Sequence, residues 1–324
     1  MSVPVQATAP GKVNLCFRVG PPRADGYHPV ASLYAAVDQL ETVQLELDPQ
    51  RPAGAVDCQL QVVAGSLVAQ QEAVGAFDRG LVPLDERNLA VRAAQAVLAE
   101  APALSGGLVL RIAKAVPVAG GMGGGSADAA AALSAAARLV ERETGHAIAH
   151  DRLLEIGAGL GADVPFAMTG GAAVGTGTGT ELRAVPVRAP WHGVLVADTG
   201  ALSTPEVFAT LDLMRADGVL PVPAPSELEV PAQLLRALAE GEPAAGAEAV
   251  ANDLQGPALQ MSPQLQHRLV ELEQLGARAM VSGSGPTLVA LPRDPGADRG
   301  AGASSALAGQ LRERGLCSVA CAIG

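Results

Sequence analysis

The tightest constraint on what this chain can fold into is one junction. A strand-like segment, GLVLRIAK (107–114), feeds through AVPV into AGGMGGGSADAAAAL (119–133), where five glycines and a serine precede an alanine-rich run. Glycines at 120, 121, 123, 124 and 125 leave the backbone N–H groups unshielded by side chains. Strong helix formers then continue to Gly145, so the loop opens a helix. The first N–H groups of a helix have no internal partner and lie at the positive end of its dipole, an end that suits phosphate oxygens. With 38 glycines in 324 residues, the stretch also reads as a flexible turn before a core helix, and the loop alone does not choose. It is no Walker A loop, because no Gly-Lys-Ser/Thr follows, and it lacks the GxGxxG spacing of a dinucleotide fingerprint. Ser126 is placed to cap the helix or to ligate a phosphate or its Mg2+. Asp128, in the expected first turn, complements the dipole.

Composition narrows the partners. A net charge of −11 argues against nucleic acid. Hydrophobic content of 49% supports a sizeable core, but aromatics are only 2%, so Ala, Val and Leu must fill it. Only two of the 22 basic residues are lysines, Lys12 and Lys114, which marks each ammonium as one to explain. Cys16, Cys58, Cys317 and Cys321 are too few and dispersed for a disulfide framework, and no histidine stands near the last two to complete a zinc site. The opening MSVPVQATAPGK has no apolar leader core, and no uninterrupted apolar run has transmembrane length. A cytoplasmic protein acting away from membranes, as monomer or homodimer, is expected.

Residues 1–20 read as strand material broken at Pro10-Gly11, followed by a turn-rich loop, PPRADGYHP (21–29). ETVQLEL (41–47) and CQLQVV (58–63) alternate as strands. Asn88 is placed to cap a helix running through LAVRAAQAVLAE, and DRLLEIGAGL is a shorter helix leading into GADVPFAM (161–168). The Gly-Thr alternation in 170–182 suits a strand or hairpin without chemistry, and 183–190 reads as a linker. WHGVLVAD (191–198) starts a second series: a Pro-rich connection at 221–231, helices over 242–255 and 263–277, a strand-turn-strand unit RAMVSGSGPTLVAL (278–291), a loop, and a last helix and strand.

Three further stretches can carry chemistry. In TAPGKVNLCFRV (8–19), Lys12 and Asn14 share the strand face opposite Val13, Leu15 and Phe17. Lys12 is either an ordinary edge-strand lysine or a buried one that needs a carboxylate or phosphate partner. Asp163 in GLGADVPFAM either caps a turn or is a carboxylate held by a cation and poised over a substrate hydroxyl. The glycines of VSGSGPTLVAL make a tight loop that a ligand or another backbone can approach.

Together, APGKVN, the glycine cluster opening a helix, and SGSGPT resemble, in order and spacing, the three motifs of the GHMP small-molecule kinases across nearly the whole chain. RADGYH and LGADVPF sharpen the resemblance to one branch, whose members phosphorylate an alcohol bearing a cytidine diphosphate group in non-mevalonate isoprenoid precursor biosynthesis. Two departures are modest: Pro10-Gly11-Lys12 where the branch reads PAK, and AGGM before GGG.

The resemblance implies an α+β, two-domain GHMP kinase fold. A ribosomal protein S5 domain 2-like N-terminal domain (1–185) would hold the nucleotide loop, and a ferredoxin-like C-terminal domain (186–324) would contribute to a substrate site in a cleft between them. It implies ATP with Mg2+, the latter with no dedicated protein site. It makes Lys12 and Asp163 the catalytic pair. Pro117, Val118, Ala119, Gly120, Gly121, Met122, Gly123, Gly124, Gly125, Ser126 and Ala127 become the triphosphate loop, with Ser282, Gly283, Ser284 and Gly285 as the third glycine motif. Asn14 would lie beside the reacting hydroxyl. Tyr27 and Phe208 would stack on the cytosine and His28 would hydrogen-bond it, while Asn88 and Lys114 align near the adenine pocket. Asn88 reads equally as an N-cap, and a core role for Phe208 stays open beside the stacking one. The alternatives are another GHMP kinase, acting on mevalonate or homoserine, which RADGYH argues against, and a non-catalytic nucleotide sensor, which intact Lys12 and Asp163 argue against.

Overall fold

The computed structural model describes residues 3–100, 104–198, 200 and 202–324. Two compact units interleave along the chain: one comprises Met1–Gly11, Gln39–Val118 and Gly123–Gly170, the other Lys12–Asp38, Ala119–Met122 and Gly171–Gly324. Strands β1 (Val5–Val19) and β2 (Val30–Asp48) each contribute residues to both.

In the first unit, β3 (Val56–Val62) runs parallel to β4 (Gly107–Lys114) from Val56↔Leu108 to Val62↔Lys114. The far half of β2 runs antiparallel to β4, from Thr42↔Ala113 to Asp48↔Gly107. Helices α1 (Leu67–Ala73), α2 (Leu89–Ala99), α3 (Gly124–Thr144), α4 (His150–Leu160) and α5 (Val164–Thr169) complete it. Helix α3 is buried along most of its length by Ala127, Ala129 to Ala132, Leu133, Ala135, Ala136, Leu139 and Val140. Methyl-sized side chains let α2 and α3 approach closely, and Val43, Leu45, Leu110 and Ile112 fill the sheet side of that core. Gly145 ends α3 in the left-handed conformation, φ 72°.

In the second unit, β7 (Trp191–Ala197), β9 (Ala277–Val281), β10 (Leu288–Pro292) and β11 (Cys317–Ile323) lie in the order β11-β7-β10-β9. Taken as first to fourth strands, that is 4-1-3-2 with antiparallel neighbours. Helices on the first and last connections make this the ferredoxin-like βαββαβ arrangement. The connections carry α6 (Thr204–Ala216), α7 (Ala232–Glu240), α8 (Pro243–Ala247), α9 (Gln255–Met261), α10 (Pro263–Gln274) and α11 (Ala301–Glu313). The near half of β2 adds to β11 at Ile323↔Val37 and pairs on its other part with β5 (Ala172–Thr176), which forms a hairpin with β6 (Glu181–Val185). The Gly-Thr stretch is therefore a hairpin, and Tyr34 packs beneath it, its ring and hydroxyl filling the space that side chains at Gly175 and Gly179 would need.

Four expectations are corrected. Strand β1 passes unbroken through Pro10-Gly11; the Lys12 N–H donates to the Met122 carbonyl at 3.0 Å, so a loop takes over from a ladder partner there. Residues 183–185 belong to β6, not to a linker. The helix over 242–255 stops at Ala247 and resumes only at Gln255, with the short β8 (Ala251–Asn252) between. Asn252 explains the break: its Oδ1 accepts from the Leu254 N–H at 2.9 Å, and its Nδ2 donates to the carbonyls of Val281 and Gly283. Ser126 does not cap α3. The cap is Gly123 at φ 67°, which starts the helix earlier, leaves Ser126 as the third helical residue and carries Asp128 beyond the first turn.

Candidate active site

Lys12, on β1, is 8% exposed, and its Nζ donates to Asn14 Oδ1 at 2.7 Å and to the Gly121 carbonyl at 2.9 Å. The ammonium also lies 5.7 Å from the centroid of the Tyr34 ring, a cation–π distance. Period-2 alternation puts Asn14 on the face of Lys12, as the sequence predicts, and Asn14 is fully buried. Its Nδ2 donates to Ser32 Oγ at 2.7 Å, and Ser32 donates onward to the Cys16 carbonyl at 3.0 Å. Both ends of the Asn14 amide are thus engaged, which fixes the oxygen toward Lys12.

The SGSG loop between β9 and β10 comes to the same place. Ser282 Oγ lies 3.4 Å from the Asn14 N–H and 3.4 Å from the Gly121 carbonyl, and the Thr287 N–H donates to the Gly120 carbonyl. Ser284 Oγ pairs with Thr204 Oγ1 at 2.8 Å. Gly121 must be glycine: its φ is +74°, and a Cβ would run into the Ser282 carbonyl oxygen. A Cβ on Gly283, at φ +57°, would stand 3.1 Å from Asn14 Oδ1 and 3.5 Å from Lys12 Nζ. Residues of all three sequence motifs therefore meet at Lys12 and Asn14.

The loop 20–29 is closed by the Gly20 N–H donating to the Pro29 carbonyl at 2.8 Å, and Asp25 Oδ1 accepts from the Tyr27 N–H. Tyr27 is 66% exposed. The His28 side chain is buried against Phe208, with ring centroids 5.0 Å apart, and Phe208 meets Phe17 edge-on at 6.4 Å. His28 and Phe208 are brought together; Tyr27 is turned to solvent.

In the first unit, the opening turn of α3 presents the N–H groups of Gly124, Gly125 and Ser126 ahead of the first intrahelical bond, Ala127 N–H to Gly123 carbonyl. Lys114 lies beneath it: a Cβ on Gly124 would be 3.2 Å from Lys114 Nζ. This ammonium is 2% exposed, 2.6 Å from Glu41 Oε1 and 2.8 Å from Asp128 Oδ2. Glu41 also accepts the N–H groups of Ala115 and Val116, which lead into the loop. Burial and the Asp128 carboxylate push Glu41 up to about 8, against the pull of Lys114. Burial likewise raises Asp128. Burial opposes the Lys114 charge, but Asp128 and Glu41 outweigh it and its pKa is raised. Sequence reading missed this triad, though a signal was there: Glu41 shares the parity of Val43, Leu45 and Leu47, a carboxylate on a buried face. Asn88 caps α2, its Oδ1 accepting from the Ala90 N–H at 2.9 Å and its Nδ2 donating to the Pro83 carbonyl at 2.7 Å. Asp163 is half-buried at the residue before α5 and does not cap that helix. Among the described residues no group of three or more His, Cys, Asp and Glu is placed to hold a metal ion, and no helix is long and apolar enough to cross a membrane.

Residues 88–171 match the GHMP kinases N terminal domain. A 4-diphosphocytidyl-2-C-methyl-D-erythritol kinase of Leifsonia xyli is 43% identical over 292 residues, 90% of this chain and 88% of the relative. One of Arthrobacter sp. is 42% identical, covering 98% and 91%. A crystal structure of 4-(cytidine 5'-diphospho)-2C-methyl-D-erythritol kinase superposes with a TM-score of 0.70 at 29% identity, covering 98% of this chain and 99% of that one. The α+β architecture is that of the two-domain GHMP fold, and the chain belongs to the 4-diphosphocytidyl-2-C-methyl-D-erythritol kinase family of GHMP kinases.

Proposed function

We propose that this kinase transfers the γ-phosphoryl group of ATP to the 2-hydroxyl of 4-diphosphocytidyl-2-C-methyl-D-erythritol, releasing ADP, in the cytoplasm. The observation that carries the reading is the buried Lys12 ammonium, held by Asn14 and by the carbonyl of Gly121 in the glycine loop. It supports a site where a fixed positive charge meets a phosphate-binding backbone. Phosphoryl transfer runs through a loose transition state, so positioning and charge neutralisation do most of the catalysis. Residues 117–127 cradle the triphosphate, with the opening N–H groups of α3 toward phosphate oxygens. Lys12 stabilises charge on the transferring group. Asp163 orients the hydroxyl and takes its proton late, because an alcohol is far too weak an acid to ionise first.

Mg2+ prefers phosphate and water oxygens with one or two protein ligands; the Ser126 hydroxyl in the opening turn of α3 suits that, and the ion would neutralise the polyphosphate charge. Asn88 and Lys114 act toward the adenine end as supports, since the cap and the two carboxylates engage their polar atoms. The cytosine end falls to Tyr27, His28 and Phe208, and Asn14 and the 282–285 loop hold Lys12 in place. The nucleotide loop belongs to a functional N-terminal part, 1–185, and the ferredoxin-like part, 186–324, contributes to substrate binding. Purified protein with Mg-ATP should convert that substrate to its 2-phosphate with stoichiometric ADP. No phosphorylation of it, in a preparation that binds ATP, would overturn the assignment.

A further inference from the structure

Helix α6 presents Phe208, Asp212 and Arg215 at spacings of four and three, hence on one face. All three grip the 20–29 loop. Arg215 donates to the carbonyls of Val19 at 2.7 Å and Gly20 at 3.2 Å, where the loop begins. Phe208 packs on the His28 ring near the loop's end, tilted by 42°. Asp212 Oδ1 lies 2.9 Å from His28 Nε2. An ionised carboxylate only accepts, so the proton sits on Nε2. In the neutral ring Nδ1 then presents a lone pair, and it makes no hydrogen bond among the described residues.

We propose that Asp212 is a positioning residue for base selection: it sets the His28 tautomer so that Nδ1 accepts, favouring the 4-amino group of cytosine over the 4-carbonyl of uracil. The proposal rests on the reading that His28 meets the cytidine end of the substrate. Cytosine offers an N–H donor where uracil offers only a second acceptor, and two lone pairs facing each other repel. Without Asp212 the ring is free to take either tautomer, and the distinction weakens. The Asp212 side chain is 38% exposed, so its removal opens no core cavity.

The test uses the full chain labelled with 15N-histidine, as wild type, D212A and D212N, with CDP and UDP as probes in calorimetry at pH 8. Wild-type His28 should show the neutral Nε2–H tautomer, with CDP binding at least tenfold more tightly than UDP. D212A should mix the tautomers and lower that ratio about tenfold while ATP affinity stays unchanged. D212N, whose amide oxygen can still accept, should keep part of it. An imidazolium or Nδ1–H ring in the wild type, or an unchanged CDP/UDP ratio in D212A, overturns the proposal. If neither nucleotide binds a wild type that shows the Nε2–H tautomer, the cytidine reading itself fails and the proposal falls with it.

Discussion

Lys12 and Lys114 are the chain's only ammonium side chains. Lys114 is paired with two carboxylates, Glu41 and Asp128, and Lys12 donates to Asn14 Oδ1 and to the Gly121 carbonyl. Replacing Lys114 with Met would leave Glu41 and Asp128 buried without their cation, a loss of about 3–5 kcal/mol. The sign of its pH dependence follows from Glu41. Its folded pKa of about 8 lies above the ordinary 4.5, so the stability it contributes is present below 4.5 and lost as pH rises through 8. Lys114 opposes that rise, so the deficit of K114M should widen between pH 5.5 and 8.5 in urea unfolding; a constant deficit would contradict the triad. For catalysis, Asp163→Asn should abolish turnover with ATP affinity nearly unchanged, read by single-turnover kinetics and calorimetry. Lys12 and Asn14 were legible because strand parity places both on one face. Strand parity also marked Glu41 as a carboxylate on a buried face, but not its pairing with Lys114; Ser32 and Asp212 carried no such signal, because each is defined by a partner elsewhere in the sequence.

At the scale of elements, capping and turn chemistry decided what propensity could not. The cap of α2 could be read from Asn88 followed by an apolar run, and Asn88→Ala should cost about 1 kcal/mol in thermal or urea unfolding. The start of α3 was misplaced because Ser126 has capping chemistry, while Gly123 reaches a left-handed conformation that ends the loop sooner. The same freedom matters at Gly121. Gly121→Ala should lower both the melting temperature and kcat, since the methyl must displace the Ser282 carbonyl and with it the loop packed on the Gly121 carbonyl that accepts from Lys12. The break between α8 and α9 was invisible for a different reason: local composition favours helix, and Asn252 overrides it by bonding to the carbonyls of Val281 and Gly283.

Across the whole molecule, the ferredoxin-like arrangement draws on strands far from it in sequence. Its unit also includes Lys12–Asp38, with Val37 paired to Ile323. A fragment of residues 186–324 would therefore lack β5 and its parts of β1 and β2, and should fail to give a cooperative melt or a dispersed NMR spectrum on its own. By itself the sequence determined the family, the order of most elements, and the glycine loops and polar side chains proposed for phosphate chemistry, because motifs and periodicity are local properties of a chain. Only the tertiary structure decided where the Lys114 ammonium is neutralised, which residue caps α3, and how α6 grips the 20–29 loop. Those outcomes depend on burial and on hydrogen-bond partners far apart in sequence, 268 residues for the Asn14 N–H and Ser282, and the cost of leaving a buried polar group unpaired is set by neighbours that no local window contains.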